Sequence, residues 1–237
     1  MPVSTEEIYW CGNGAVSTHN LNVAPPFYVC QTDICGPFKA FDLCIKRKTI
    51  KIWLIVFCCA TTSTTSIKVM EDYGTESFIL AFIRFACDAG YPKMLLVDEG
   101  SQLIKGCETM KLSFLDMKNK LHREMSVEFW VCPEGGHNVI GKVERRIRHI
   151  KESLEKTVSN ERVSIIQWET IAGQIANSLN DLPLALGNII DDFENMDLLT
   201  PNRLKLGANY DRSPVFPMIV TDSASKIIDS NKKVFES

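Results

Sequence analysis

The run from Ile52 to Ala60, IWLIVFCCA, constrains this chain more than any other stretch. It has no polar alternation, so a strand built from it is apolar on both faces. Such a strand belongs in the middle of a sheet covered by helices on either side. The run is far short of the roughly 20 apolar residues that span a bilayer. No leader pattern precedes it, because the N-terminal MPVSTEEIYW is acidic and lacks an apolar centre. The expected setting is the cytoplasm or nucleus, with no membrane partner.

The flanking pattern fits that sheet. Ala24-Pro25-Pro26 favours an extended entry. Phe27 to Ile34 reads as a first strand ended by the breaker Gly36-Pro37, Phe41 to Arg47 as a second, and Thr49 to Thr62 as a third. The basic KRKTIK between the last two reads as a hairpin turn, and the three strands together as an antiparallel meander. Gly74-Thr75-Glu76-Ser77 opens a helix whose apolar stripe is Phe78, Phe82, Phe85 and Ala89, with Gly90 as its C-cap. Pro92 to Val97 is a short buried strand, Ser101 to Leu121 a helix, and Val127 to Cys132 a further strand. Helices from about Val139 to Val158 and Ile165 to Asn180 follow, then an irregular arm from about Arg203. Strands first run together and then alternate with helices, an α/β order.

Three acidic residues carry the chemistry. Asp33 ends the first apolar strand in YVCQTDICGPF, and Asp98 ends the short strand in PKMLLVDEGSQL. Glu144 lies in the basic helix GKVERRIRHIKESLEK, beside the apolar seam Val143, Ile147, Ile150 and Leu154. Taken singly, each has an ordinary reading. Asp33 suits a turn or cap, Asp98 an N-cap for the helix at Ser101, and Glu144 a surface pair with Arg148. Together, two strand-end acids and one helix acid converge at one sheet edge. Converging carboxylates repel unless a cation lies between them, and hard oxygen ligands favour Mg²⁺ or Mn²⁺. Two such ions activate a water or hydroxyl for in-line attack on a phosphodiester.

Charge supports a polyanionic partner locally rather than globally. The formal net charge is -3, which argues mildly against nucleic acid. Between residues 142 and 151, however, five basic side chains face one acid. Lys142, Arg145, Arg148 and Lys151 are the candidate phosphate contacts. The nine cysteines include no CxxC pair and read as buried free thiols in a reducing compartment. A zinc site from Cys11, His19, Cys30 and Cys35 is the sharper alternative, without a recognised ligand spacing. No GxSxG serine accompanies the histidines, and Gly12-Asn13-Gly14 reads as a turn.

In this order, APPFYVCQTDICGPF, LLVDEGSQL and FWVCPEGGHNVIGKVERRIRHIKESL resemble the DDE-type catalytic core of retroelement integrases. The trailing NSLNDLPLAL and DDFENMDLLTPNRLKLG bring the match closest to the Pao/BEL group of long-terminal-repeat retrotransposons. Asp98 and Glu144 are 46 positions apart, longer than the retroviral gap and in keeping with that group. The sequence departs from the family at Val97, where Ser is usual, and at Glu99, where Asn is usual. The extra acid beside Asp98 leaves present-day activity in question.

The resemblance implies a ribonuclease H-like fold: a five-stranded mixed sheet flanked by helices, with an extra C-terminal helix and arm. The implied organisation is an arm over residues 1–25, the core over 26–185 and an extension over 186–237. It implies two Mg²⁺ (or Mn²⁺) ions held by Asp33, Asp98 and Glu144, cleavage of element DNA ends, and strand transfer into target DNA by a homo-oligomer. Neither a zinc module before the core nor a small β-barrel after it is expected in this chain. The competing expectation is a catalytically inactive descendant that binds DNA or a protein through the same surface.

Overall fold

The computed structural model describes residues 10–11, 14–15, 24–41, 48–98, 100–121, 127–132, 137–158, 163–184 and 199–206. Its centre is a five-stranded sheet in the order β5-β4-β3-β6-β7. The strands are β3 (Val29–Phe41), β4 (Thr49–Cys59), β5 (Thr65–Met70), β6 (Met94–Val97) and β7 (Glu128–Val131). β3, β4 and β5 form an antiparallel meander, in which β5 is a strand the sequence reading did not assign, while β6 and β7 add in parallel on the other side of β3. A separate two-stranded hairpin, β1 (Trp10–Cys11) and β2 (Gly14–Ala15), pairs Cys11 with Gly14 and lies against α3. No helix among the described residues is long and apolar enough to cross a membrane.

Helices cover both faces, as the doubly apolar β4 requires. Ile55 and Phe57 of β4 pack with α1 (Thr75–Ala89) and α2 (Ser101–Leu121) through Phe78, Phe82, Phe85 and Leu103. The Phe57 and Phe85 rings stack at 4.1 Å. Leu54, Val56 and Cys58 point the other way, into α3 (His137–Thr157) and α4 (Ile165–Asn180). There the seam Val143, Ile147, Ile150 and Leu154 is buried, as its helical spacing predicts. Helix α4 begins with a capping box between Ser164 and Gln167, and α1 ends at Gly90, whose positive φ of 83° suits glycine and whose N–H closes onto the Ala86 carbonyl.

Three boundaries differ from the sequence expectation. Gly36-Pro37 does not end the first strand. The pairing with β4 shifts between Cys35 and Phe38, so a bulge absorbs the breaker and β3 continues to Phe41. Glycine is required at the bulge, where φ is 141° and a Cβ would lie 3.0 Å from Trp53 Cδ1. Phe41, where the second strand was expected to begin, is the last residue of β3, and the rest of that expected strand, residues 42–47, lies outside the described residues. The long strand from Thr49 to Thr62 stops at Cys59, and Thr65–Met70 forms a strand of its own. Finally, Pro201–Leu206 is a short helix, α5, where an irregular arm was expected to begin; residues 207–237 lie outside the described residues.

Cys30, Cys35, Cys58, Cys59, Cys107 and Cys132 are buried free thiols, while Cys87 is free and exposed. Cys30 faces the α1 side and Cys35 the α3 side of β3, so these two do not share one ion. The zinc alternative fails on that alternation.

Asn180 ties α4 to β5. Its side-chain oxygen accepts from Thr65 N–H at 2.7 Å, and its amide donates to Thr65 C=O at 2.8 Å, all buried. Asn180→Ala leaves both backbone groups without partners, at an expected cost of about 2–4 kcal/mol. Urea unfolding checks this; a cost within about 0.5 kcal/mol, typical of a neutral surface change, would show that water replaces the amide freely.

Candidate active site

The parallel ladder between β3 and β6 runs from Val29–Met94 to Thr32–Val97 and then stops. Asp33 and Asp98 are the next residues on the two chains, where neighbouring strands lie about 4.8 Å apart. Asp33 is thus not at a strand end, as the sequence suggested; it lies inside a 13-residue strand, at the point where its parallel partner gives out. Alternation puts Asp33 on the face shared by Val29 and Cys35, and Asp98 on the face of Leu96, both toward α3.

Helix α3 lies across that face. Gln31, two residues before Asp33, accepts the Val143 N–H at 3.2 Å through its side-chain oxygen. This buried contact sets Glu144, the next residue, beside the acid pair. The convergence is visible at Asp33. Burial raises its carboxyl above the ordinary aspartate value, and the negative charges of Asp98 and Glu144 raise it further; the Ile34 N–H, 2.6 Å from Oδ1, and the Lys151 ammonium oppose the shift. The three acids found in the sequence therefore share one electrostatic environment. Among the described residues, no three His, Cys, Asp or Glu side chains already stand at metal-ligating separation. The donor set, three hard carboxylates beside a lysine, fits a divalent cation of the Mg²⁺ type once the groups draw together. Glu99 lies outside the described residues. The first turn of α2 is closed by the Gly100 carbonyl, which accepts from the Leu103 and Ile104 N–H groups.

The basic residues divide between two flanks of α3. Arg145, Arg148 and Lys151 are exposed, and Lys151, two turns after Glu144, reaches both Asp33 and Cys35 electrostatically. Burial nevertheless pushes the Cys35 thiol up to about 12. Lys142 is half-buried and donates to the Ala60 carbonyl. Arg146, which the sequence reading passed over, donates to Leu179 C=O and to Ser63 C=O, each at 3.2 Å. Its spacing from Lys142, one helical turn, was the available signal.

No family model matches the chain, and no curated protein matches it in sequence. Solved structures do. A chain of the simian T-cell lymphotropic virus intasome, solved in complex with PP2A regulatory subunit B56 gamma, superposes with a TM-score of 0.52 and 17% identity, over 83% of this chain. The likeness is one of fold. This five-stranded mixed sheet with flanking helices is ribonuclease H-like, as the resemblance implied. The chain spans 58% of the length of that viral protein. The HTLV-2 integrase catalytic core in complex with magnesium (TM-score 0.46, 15% identity, 76% of this chain and 97% of that one) and the BIV integrase core (0.48, 13%, 78% and 97%) are more distant likenesses.

The raised Asp33 pKa has a consequence for stability. The folded chain holds the Asp33 proton to higher pH than the unfolded chain does. This contribution to stability therefore falls as pH rises from the ordinary aspartate value through the raised one, and at neutral pH the Asp33 charge is a net cost. Asp33→Asn keeps an acceptor for Ile34 N–H and removes the charge. It is expected to raise Tm at pH 7 in EDTA and to abolish any Tm gain on adding Mg²⁺. A lowered Tm in EDTA would contradict the crowding of acids at this site.

Proposed function

We propose that this chain is the core of an integrase-type polynucleotidyl transferase that cuts element DNA ends and joins them to target DNA. The observation that carries this reading is the shared electrostatic environment of Asp33, Asp98 and Glu144, drawn from β3, the end of β6 and α3. The integrase-like fold supports it. In this reading the three carboxylates hold two Mg²⁺ (or Mn²⁺) ions. Bound there, such ions polarise the scissile phosphodiester and activate the attacking water or 3′-hydroxyl. The carboxylates act as ligands in their ionised form. Exposed Arg145, Arg148 and Lys151 take the DNA phosphates, which positions the substrate without reading its bases. Lys142, half-buried and engaged with the Ala60 carbonyl, is not one of these contacts. A homo-oligomer working in the nucleus or cytoplasm, and placement in the Pao/BEL group, complete the proposal; the group rests on the sequence segments alone.

A second reading has its own observation. The carboxylates are not at ligating separation among the described residues, and Glu99 adds a charge beside them, as an inactive DNA-binding descendant allows. The test is turnover of a labelled duplex and of a pre-joined branched substrate in Mg²⁺, Mn²⁺ or EDTA. The branched substrate asks only for core chemistry. Products with either ion and none in EDTA support the transferase. DNA retention without product in any condition selects the inactive binder.

A further inference from the structure

Helix α3 carries its site acid and its anchoring cations on opposite flanks. The seam Val143, Ile147, Ile150 and Leu154 faces the sheet. At 100° per residue, Glu144 stands about 90° to one side of that seam, and Lys142 and Arg146 about 90° to the other. The cation flank points to the β4–β5 turn and the end of α4; the Glu144 flank points to the β3–β6 junction, where Asp33 and Asp98 lie.

The anchors are specific. Arg146 spans two elements, donating through one guanidinium nitrogen to Leu179 C=O and through the other to Ser63 C=O, both at 3.2 Å. Leu179 lies in the last turn of α4, just beyond the Asn177 and Ser178 carbonyls onto which the Asp181 N–H closes. Ser63 has φ 57°, left-handed for a side-chain-bearing residue, and its carbonyl also accepts from the Thr65 hydroxyl at 3.2 Å. One turn earlier, Lys142 donates to Ala60 C=O in the same β4–β5 turn.

We infer that Arg146, with Lys142, is a positioning residue that fixes the rotation of α3 and so sets Glu144 against Asp33 and Asp98. This rests on the reading of those acids as the metal site. A side-chain tip on a helix lies about 5–6 Å from the axis, so a 20° roll displaces it by about 2 Å. Active-site groups tolerate only about 0.5 Å, and the apolar seam with the single Gln31–Val143 bond at its centre does not dictate rotation to that margin. A guanidinium fork bonded to two carbonyls on two elements does. Lysine cannot reproduce the fork, since it is a point charge on a flexible stem.

The experiment compares wild type, Arg146→Gln, Arg146→Lys and Lys142→Met. Each is measured for Tm, for Mg²⁺ and Mn²⁺ affinity by calorimetry without DNA, and for branched-substrate turnover in each ion. Mg²⁺ demands near-ideal octahedral geometry. The expected result is a loss of about 10- to 100-fold in kcat with Mg²⁺ for Arg146→Gln, the scale of a 1 Å misplacement. A smaller loss with Mn²⁺, weakened Mg²⁺ affinity, little change in KM, and partial rescue in Arg146→Lys are expected to accompany it. Lys142→Met should show the same preference for Mn²⁺ more weakly, which keeps the test open if Arg146→Gln does not fold. An active wild type with an unchanged Mg²⁺ to Mn²⁺ ratio in the folded variants overturns this inference alone. A wild type that neither binds the ions nor turns over substrate overturns the metal-site reading, and this inference with it.

Discussion

Asp98→Asn is expected to reduce Mg²⁺- or Mn²⁺-dependent turnover of the branched DNA substrate by more than about 100-fold, since losing even an outer partner of a metal ligand costs 10–100-fold. Asp98 follows the last β6 residue, one register step beyond the Thr32–Val97 pair, and its charge is felt at Asp33. The substitution changes one oxygen for an NH₂ group at a partly exposed position. Folding and DNA retention are therefore expected to survive, and the loss should fall in kcat. Glu99 makes the test discriminating. Near-wild-type turnover in Asp98→Asn would mean that Asp98 is not a ligand and that the acid beside it, or no acid there, does the work. Turnover lost in Asp98→Asn but kept in Glu99→Gln would make Glu99 a tolerated neighbour.

Trp168→Ala is expected to cost about 3–5 kcal/mol, as large aromatic truncations in cores do, out of a typical total of about 5–15 kcal/mol. Trp168 is 2% exposed, its ring centroid lies 5.3 Å from that of Phe38, and its Nε1–H donates to Lys39 C=O at 3.1 Å. It docks α4 onto the part of β3 beyond the Gly36 bulge, where Phe38 and Ala40 turn toward the α3–α4 layer. The other end of α4 supplies the Leu179 carbonyl held by Arg146. A cavity at Trp168 thus weakens the layer that also carries the site helix. Denaturant unfolding measures the cost, with Trp168→Phe as a milder control that keeps most of the volume. A cost below about 1 kcal/mol for Trp168→Ala, the scale of a small core trimming, would mean that the site collapses around the missing ring.

Much of the architecture was legible because burial writes local periods into a chain. IWLIVFCCA announced a strand covered on both faces, and Phe78, Phe82 and Phe85 a helix packed against it. Val143, Ile147, Ile150 and Leu154 gave the α3 seam by the same logic. The three acids stood out as candidates too, since a carboxylate next to an apolar run is an exception that calls for a reason. The failures share a cause. The sequence expectation runs the preceding strand on to Thr62 and assigns no element to TSIKVM, because the turn ATTST between the two strands is rich in Thr, which also suits strands. Gly36-Pro37 looked like a stop because a bulge is a relation between two strands and leaves no period in one of them.

The sequence by itself determined which faces are apolar, which residues are acidic among them, and hence that a sheet between helix layers carries Asp33 and Asp98 while a covering helix carries Glu144. Only the tertiary structure decided their meeting and the division of labour around it. The end of the β3–β6 ladder sets Asp98 beside Asp33, and the Gln31–Val143 contact sets Glu144 over them. The turn at Ala60–Thr64 takes Lys142 and Arg146 away from the surface that their charges suggested. Local patterning reports how far each side chain is removed from water. Register and helix rotation depend on partners distant in sequence, whose hydrogen bonds exist only once the sheet and its layers have closed.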